Sequence, residues 1–559
     1  MGTVVNYEPD FRALSAVPPV KAQCLPFSQI PHTTRLFADF LSDFSKVQQF
    51  YPRPPQFSDW ITQETPGQRY DAQRRARVSD ILERQNRAWG ASEKTIANIA
   101  RLRGGASAAV TGQQVGLFGG PLFSLFKALT AVKLADEATN AGQDSVPIFW
   151  IATNDHDLEE VNHTALPGPN GTLQTLATAS RGAEDAPVGT IHFTDEIETV
   201  VQSAVELLGD SEASAILRES YRAGETLGSA FARLFAQLFA EWGVILLDPS
   251  DPDMQAVAAP IYISAIERAA EIDESLLARG KDLEAAGYHQ QVKVTPSSTL
   301  LFIVQDGTRI PIHRRLNGNS TEFLIRDQKL SREDLLRQIA AAPQDFSPNV
   351  LLRPIVQDHL LPTLCYTGGT AEVAYFAQAA VVFEKLLGHV TPIVPRFSAT
   401  LIEPKVEGLL ERYHLSLQDL FQGEESLREK IAAKILPAEL QKAFDRAGAT
   451  LEQSLSAVRA ALLQLDKTLV EAADNAGSKM QHQLESLRAR AARAELRQSE
   501  LVSRHAQQLS NSLYPNKTLQ EREIAGLYFL GRYGLDLLRQ LYASLHTDCY
   551  DHQVITIAS

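Results

Sequence analysis

Short apolar runs of β character, each paired with a helical pattern, recur at residues 108–110, 146–151, 244–247, 350–356 and 389–394. Strands alternating with helices predict βαβ units and a parallel sheet, hence an α/β fold. Ahead of them, residues 1–105 read as a loop-rich lead with Pro18-Pro19, Pro31 and Pro52-Arg53-Pro54-Pro55, then an Arg-rich helical stretch over 69–103. Between the third and fourth runs the texture changes. A helix over 255–279 is followed by strands at 300–304 and 309–312 around Asp306-Gly307, the signature of a tight hairpin. This stretch reads as an inserted subdomain.

From Leu451 the apolar positions Leu455, Val458, Leu462, Leu465 and Leu469 step alternately by four and three, and Ala473, Ala476, Met480, Leu484, Leu487 and Ala491 continue the pattern. That is the heptad rule of a coiled coil. About 60 residues without proline predict a protruding rod rather than a helix lying on its own domain, with Asn475-Ala476-Gly477-Ser478 either a helical-hairpin turn or a tolerated glycine. A seam built so largely of Leu and Ala needs a partner helix, which makes this region the candidate homodimer contact. The pattern breaks at Pro515, and 519–545 reads as a helix returning to the body.

Composition narrows the classes. The chain has 559 residues, 44% hydrophobic and 21% charged, an ordinary globular balance with room for roughly three to four structural units. Acidic residues outnumber basic ones 67 to 53, a net charge of −14, so neither nucleic acid nor another polyanion is the expected partner. Cys24, Cys365 and Cys549 are scattered and form no Cys-x-x-Cys, so neither a disulfide framework nor a thiolate zinc site follows, and Cys365 reads as a buried small hydrophobe. Asn6, Glu8 and Asp10 interrupt any secretory signal, and no apolar run reaches bilayer length. The expected address is the cytoplasm, with no membrane partner.

Candidate chemistry gathers after the predicted strands. The first site is Thr111-Gly112-Gln113-Gln114-Val115-Gly116-Leu117-Phe118-Gly119-Gly120-Pro121, between a strand and an amphipathic helix over 122–136. Its glycines permit close backbone approach, Pro121 suits the first helical position, and free N–H groups there would receive an anion. It is neither a Walker loop nor a dinucleotide fingerprint, and a simple tight turn is the alternative. Lys127, about two turns into the helix, reads as a solvated lysine. The second site is Asn154-Asp155-His156-Asp157 with Glu159, Glu160 and His163. A histidine between two carboxylates suits an acid or base; the spacing matches no familiar metal site, and Asp capping the next helix is the structural alternative. The third joins Arg353, then Gly368, Gly369, Glu372 and Tyr375, then Arg396 and Ser398, where arginines fork onto carboxylate or phosphate and a Gly-Gly pair lets a ligand press on backbone.

Five pieces in register, Thr-Gly-Gln-Gln-x-Gly-Leu-Phe-Gly-Gly-Pro (111–121), Asp-His-Asp-x-x-Glu (155–160), Gly-Gly-x-x-Glu-x-Ala-Tyr (368–375), Pro-Arg-x-Ser-x-Thr (395–400) and Leu-Gln-Glu-Arg (519–522), resemble the BshC family, the cysteine ligases of bacillithiol biosynthesis. The resemblance implies a Rossmann-like core similar to class I aminoacyl-tRNA synthetases and nucleotidyltransferases. The core would span 1–250 and 346–402, with a connecting-peptide insertion over 251–345, a helical coiled-coil dimerisation domain over 403–511, and a C-terminal helical segment over 512–559. It implies amide formation between L-cysteine and the amine of glucosaminyl-malate, with ATP or another nucleotide as a candidate energy source; no metal is expected, because the donor spacing at 155–163 matches no familiar metal site. The synthetase signatures His-Ile-Gly-His and Lys-Met-Ser-Lys-Ser do not occur, so the Gln113 loop and Asp155-His156-Asp157 would stand in for them. On this reading His156, with Asp155 and Asp157, is catalytic. Gly112, Gln113, Gln114, Gly119, Arg353, Gly368, Gly369, Glu372, Tyr375, Arg396 and Ser398 bind substrate, with the malate carboxylates near Arg353 or Arg396. The rival classes are a synthetase-like enzyme joining another acid and amine, a non-catalytic coiled-coil scaffold, and a metal-dependent hydrolase.

Overall fold

The computed structural model describes residues 21–557 except 170, 318–319, 436–437, 497–499 and 548; the expectations for Pro18-Pro19 and the first eleven residues lie outside that range. The chain divides into two compact units. One runs to residue 167 and takes in 173–400 and 521–555; the other consists of 168–172, 401–520 and the residues from 556 onward.

The first unit is built on five parallel strands, β1 (Ser107–Gln113), β2 (Ser145–Ile151), β3 (Ile245–Leu247), β4 (Thr363–Gly368) and β5 (Ile393–Pro395), in spatial order β3-β2-β1-β4-β5. The chain steps outward from β1 through β2 to β3, then returns to the other side of β1. The carboxyl ends of β1 and β4 therefore flank a topological switch point, where open α/β sheets form a crevice. Strands β1 and β2 are buried along nearly their whole length, as continuous apolar runs in a covered parallel sheet require.

Four of the five expected strands are present. The fifth, 350–356, is not a strand: it is the entry to helix α2 (Arg353–Leu360). Pro354 stands in the first helical turn, the Asn349 side chain accepts from the amides of Leu351 and Leu352, and the apolar residues fall at helical spacing. The missing central strand is β4, an equally apolar run a few residues on. The helix expected over 69–103 is two, Ala72–Ala88 and Glu93–Gly104, separated at Gly90, whose φ is +78°. That expected over 255–279 is also two, Pro252–Glu267 and Ala269–Ala285. The predicted hairpin forms: Ser298–Gln305 pairs with Thr308–Asn317 within a five-stranded antiparallel sheet, and Asp306 and Gly307 both take the positive φ its turn needs. The tail is three short helices rather than one, Gln520–Glu523, Gly526–Tyr533 and Asp536–Ser544.

In the second unit the heptad stretch is an antiparallel pair, α4 (Ala438–Leu465) and α5 (Leu469–Leu496), not one continuous rod. Arg488 meets Asp445, Leu484 lies beside Gly448, Gly477 lies beside Leu455, and Asp474 meets Arg459, so the contacts converge symmetrically on Asp466. There the Asp466 carboxylate accepts from the amide and hydroxyl of Thr468 and closes the turn. The turn is at 466–468, and Gly477 is a packing position inside α5.

Strand β3 is an edge, and its exposed ladder groups need partners. Side-chain amides supply them: Asn86 accepts from Leu246 N–H and donates to Leu246 C=O, and Gln85 does the same for Asp248. Asn86 is fully buried. Asn86→Leu is expected to orphan both Leu246 groups and lower the unfolding free energy by about 2–3 kcal/mol, read from the urea midpoint; an unchanged midpoint would refute this account of the edge.

Candidate active site

The carboxyl ends of all five strands open onto one cavity of about 480 Å³. Gly112 and Gln113 from β1, Trp150 and Asp155 from β2 and its following loop, Pro249 after β3, Tyr366 and Gly369 around the end of β4, and Arg396 after β5 all line it. The antiparallel sheet adds Phe302 and Arg309, and the tail adds Arg522. Such a location is where ligands of open α/β sheets collect.

The floor is a closed polar network. Lys127, on helix α1 (Phe123–Asn140), is 3% exposed and directs its ammonium to Gly112 C=O (2.7 Å), Gln113 Oε1 (2.9 Å) and Glu372 Oε2 (2.7 Å), one acceptor for each donor. Glu372, in the first turn of α3 (Thr370–Leu387), also accepts from Tyr366 Oη (2.5 Å) and the Gly369 amide (2.7 Å). Gly368 permits this folding-back, since a Cβ there would stand 2.7 Å from that of Glu372. Burial drops Lys127 to about 8, with Arg396 and Arg353 adding to the fall against the pull of Glu372. Burial works against the Glu372 carboxylate too, but Lys127, Tyr366 and Gly369 together hold it below the usual range.

Five cations line the cavity, Lys127, Arg309, Arg353, Arg396 and Arg522, and they are not equivalent. Lys127 is matched by Glu372. Arg396, 8% exposed, is matched by Glu521 at 2.6 Å, and the same carboxylate accepts from Ser398 Oγ and the Ala399 amide. Burial raises Glu521, and Arg396 overrides it to hold the group below the carboxylate range. Arg353 lies against the rings of Tyr366 and Trp150 and bonds Gln357 and Tyr375. Arg522 stands over Phe123. Among the described residues neither Arg353 nor Arg522 has a carboxylate within ion-pair distance, so these two guanidiniums carry the uncompensated positive charge of the site.

The cavity also carries an acidic pair. Gln114 Nε2 donates to Asp155 (2.6 Å) and Glu160 (2.8 Å), and both carboxylates line the cavity. Arg309, held over Phe302 and bonded to Ser347 and Pro348, lies 3.9 Å from Asp155. It donates to His156 Nδ1 at 3.0 Å, which places the imidazole proton on Nε2.

Nine of the residues expected at the site meet here: Gly112, Gln113, Gln114, Asp155, Arg353, Gly369, Glu372, Tyr375 and Arg396. Five are not among the lining residues. His156 stands behind Asp155 with Nδ1 occupied by Arg309. Asp157 takes the capping role, accepting from Glu160 N–H. Gly119 is turned away, its amide spent on Gly116 C=O and Tyr221 Oη, and the amides of Gly116 and Gly120 are spent on Gln114 C=O and Leu117 C=O, so these glycines offer no amide to an anion. Gly368 shapes the Glu372 turn, and Ser398 supports Glu521. Pro121 precedes the helix start and pairs with Ala525. Lys127 is not solvated, because α1 is buried nearly all round; a lysine in the run Phe123-Ser-Leu-Phe-Lys-Ala-Leu, with no polar stripe, was the available signal. Arg309 carried no motif of its own before folding, and Arg522, although it closes the Leu-Gln-Glu-Arg piece, was given no site role. Cys365 is fully buried in an apolar cluster, as expected.

Fold and site together define a Rossmann-like α/β protein with a charged small-molecule cavity at its switch point and an appended helical coiled-coil region. Two family models match in sequence: the N-terminal Rossmann-like domain of bacillithiol biosynthesis BshC over residues 20–397 and its C-terminal coiled-coil domain over 399–557. The chain belongs to the BshC family. A relative from Koribacter versatilis, named "Putative cysteine ligase BshC", is 50% identical over 96% of this chain and 99% of its own. Relatives of the same name from Solibacter usitatus and Salinibacter ruber are each 35% identical, over 96% and 98% of this chain and 99% and 100% of theirs.

His552 backs the Arg396–Glu521 pair, its two ring nitrogens on Ser398 (2.7 Å) and Thr400 (2.8 Å). Burial lowers it to about 4 from the ordinary 6.5. The unfolded chain therefore binds the extra proton first, and stability present above pH 6.5 is lost as pH falls toward 4, by up to about 3 kcal/mol from this group. The stability gap between wild type and His552→Gln is expected to close by about that amount across the same window, measured by urea unfolding at each pH.

Proposed function

We propose that the chain is a cysteine ligase that joins L-cysteine to the amine of glucosaminyl-malate, forming the amide that completes bacillithiol. Family membership along nearly the whole chain supports this reading, and the observation that carries it is the charge layout of the cavity. The lining holds two guanidiniums, Arg353 and Arg522, with no carboxylate at ion-pair distance among the described residues, together with the carboxylates of Asp155 and Glu160. Malate presents two carboxylates, which the two arginines match by charge-assisted hydrogen bonds. Arg396, paired with Glu521, is left to orient its surroundings rather than to bind.

The attacking amine must be neutral. Asp155 faces the cavity with His156 behind it, so the pair acts as proton acceptor, the carboxylate receiving the ammonium hydrogen bond and the imidazole tuning it under the grip of Arg309. Joining a carboxylate and an amine in water needs an energy source. A nucleotide such as ATP, if bound, would supply it by activating the cysteine carboxylate, and Gln113 on the cavity wall is the residue that would meet its phosphates once Arg353 and Arg522 hold the malate. Small-molecule chemistry of this kind belongs in the cytoplasm, and no helix among the described residues is long and apolar enough to cross a membrane. The α4–α5 pair leaves Val458, Leu465 and Leu487 at least half exposed, and a second copy of the chain is the occupant we assign to that face, to be read by sedimentation equilibrium.

Thiol profiling of a deletion strain tests the reaction: bacillithiol should vanish and glucosaminyl-malate accumulate, with rescue by the wild type and not by His156→Ala. Unchanged thiol in the deletion strain would overturn the assignment. With purified protein, Arg522→Ala and Arg353→Ala are each expected to raise KM for the malate-bearing substrate roughly ten- to a hundredfold, the loss of one charge-assisted contact, with KM for cysteine little changed.

A further inference from the structure

We propose that Cys24 and Cys549 form an oxidisable dithiol, a modification site that takes a peroxide as its oxidant and closes to a disulfide. Cys24 lies on the strand Lys21–Leu25 and Cys549 three residues before the strand His552–Thr556, and these two strands are neighbours in a three-stranded sheet. Although 525 positions separate them in sequence, the thiol of Cys549 donates to the sulfur of Cys24 at 3.8 Å. Both are free thiols; Cys24 is exposed and Cys549 half-buried, so an oxidant in solvent reaches them. From that contact the two sulfurs need to approach by less than about 2 Å to reach the bonded distance of about 2.0 Å. No group of three or more His, Cys, Asp or Glu side chains placed to hold a metal ion occurs among the described residues, so the pair is read as a redox site rather than half of a metal site.

The chemistry balances with one peroxide. The thiolate of one cysteine attacks a peroxide oxygen, the O–O bond breaks, and the products are a sulfenic acid and, with a proton, water. The second sulfur attacks the sulfenic sulfur, the S–S bond forms, and the hydroxyl leaves with the second thiol proton as another water. Two thiols are oxidised and one hydrogen peroxide is reduced to two waters. The bond would brace the strand carrying His552, the residue that holds Ser398 and Thr400 behind the Arg396–Glu521 pair.

Full-length protein treated with hydrogen peroxide, alkylated with N-ethylmaleimide and digested without reductant tests the proposal by mass spectrometry. The expected result is a loss of two hydrogens from the intact mass, joint loss of labelling at Cys24 and Cys549, and one cross-linked peptide pair containing both, cleaved by dithiothreitol. Buried Cys365 serves as the internal control, labelled only after denaturation. Cys24→Ser and Cys549→Ser should each abolish the cross-link while circular dichroism stays native. Full alkylation of both thiols after peroxide, oxidation of each to sulfinic acid without a cross-link, or a bridge between two chains would overturn it. None of these outcomes bears on the ligase reaction, which stands or falls on the thiol profile.

Discussion

The cavity depends on one buried ion pair. Placing an ammonium and a carboxylate beneath the ends of a parallel sheet is costly unless every donor and lone pair finds a partner. Lys127 and Glu372 meet that condition: the lysine has three acceptors, and the glutamate accepts from an ammonium, a phenol and a backbone amide. The partners come from α1, β1, β4 and α3, the elements flanking the switch point. The pair therefore fixes the relative placement of the pieces that frame the cavity before any ligand arrives, and a rigid polar floor is what an active site needs to act on charges without reorganising.

The same accounting reconciles an acidic protein with an anionic ligand. A net charge of −14 describes the whole chain, yet Arg353 and Arg522 bring positive charge to the cavity lining once Lys127 and Arg396 are cancelled by Glu372 and Glu521. Local charge in a low-dielectric crevice governs binding more than distant surface charge, which salt screens. The bulk acidity then repels polyanions while the cleft still attracts a small dianion.

Much of this was legible from the strand-end motifs, because polar residues placed after apolar runs have one destination in a parallel sheet. Gln113, Asp155, Glu372 and Arg396 come together for that reason. What periodicity concealed was partner identity. Apolar residues at 350–356 fit a strand until Pro354 and Asn349 make them a helix start, and Lys127 looked solvated because a single helix does not reveal that every face is covered. The heptads at 451–491 hold equally for a helix meeting a second chain and for one folding back on itself; only the symmetry of contacts about Asp466 separates them. Arg309 had no local pattern to mark it, and the Leu-Gln-Glu-Arg piece marked Arg522 without giving it a role, since both roles arise from an antiparallel sheet and a tail folding over the same crevice.

The tail's contribution constrains how the site is assembled. Glu521 neutralises Arg396, Arg522 supplies one of the two guanidiniums that have no carboxylate at ion-pair distance among the described residues, and His552 holds the hydroxyls that present Ser398 to Glu521. All three follow the helical region in sequence, although they serve a cavity whose strands end at residue 395. Until that segment docks, Arg396 is a buried cation without a counter-ion, a state penalised by several kcal/mol. The charge asymmetry that suits a dianionic substrate is thus a property of the completed first unit, and the parallel sheet alone does not possess it.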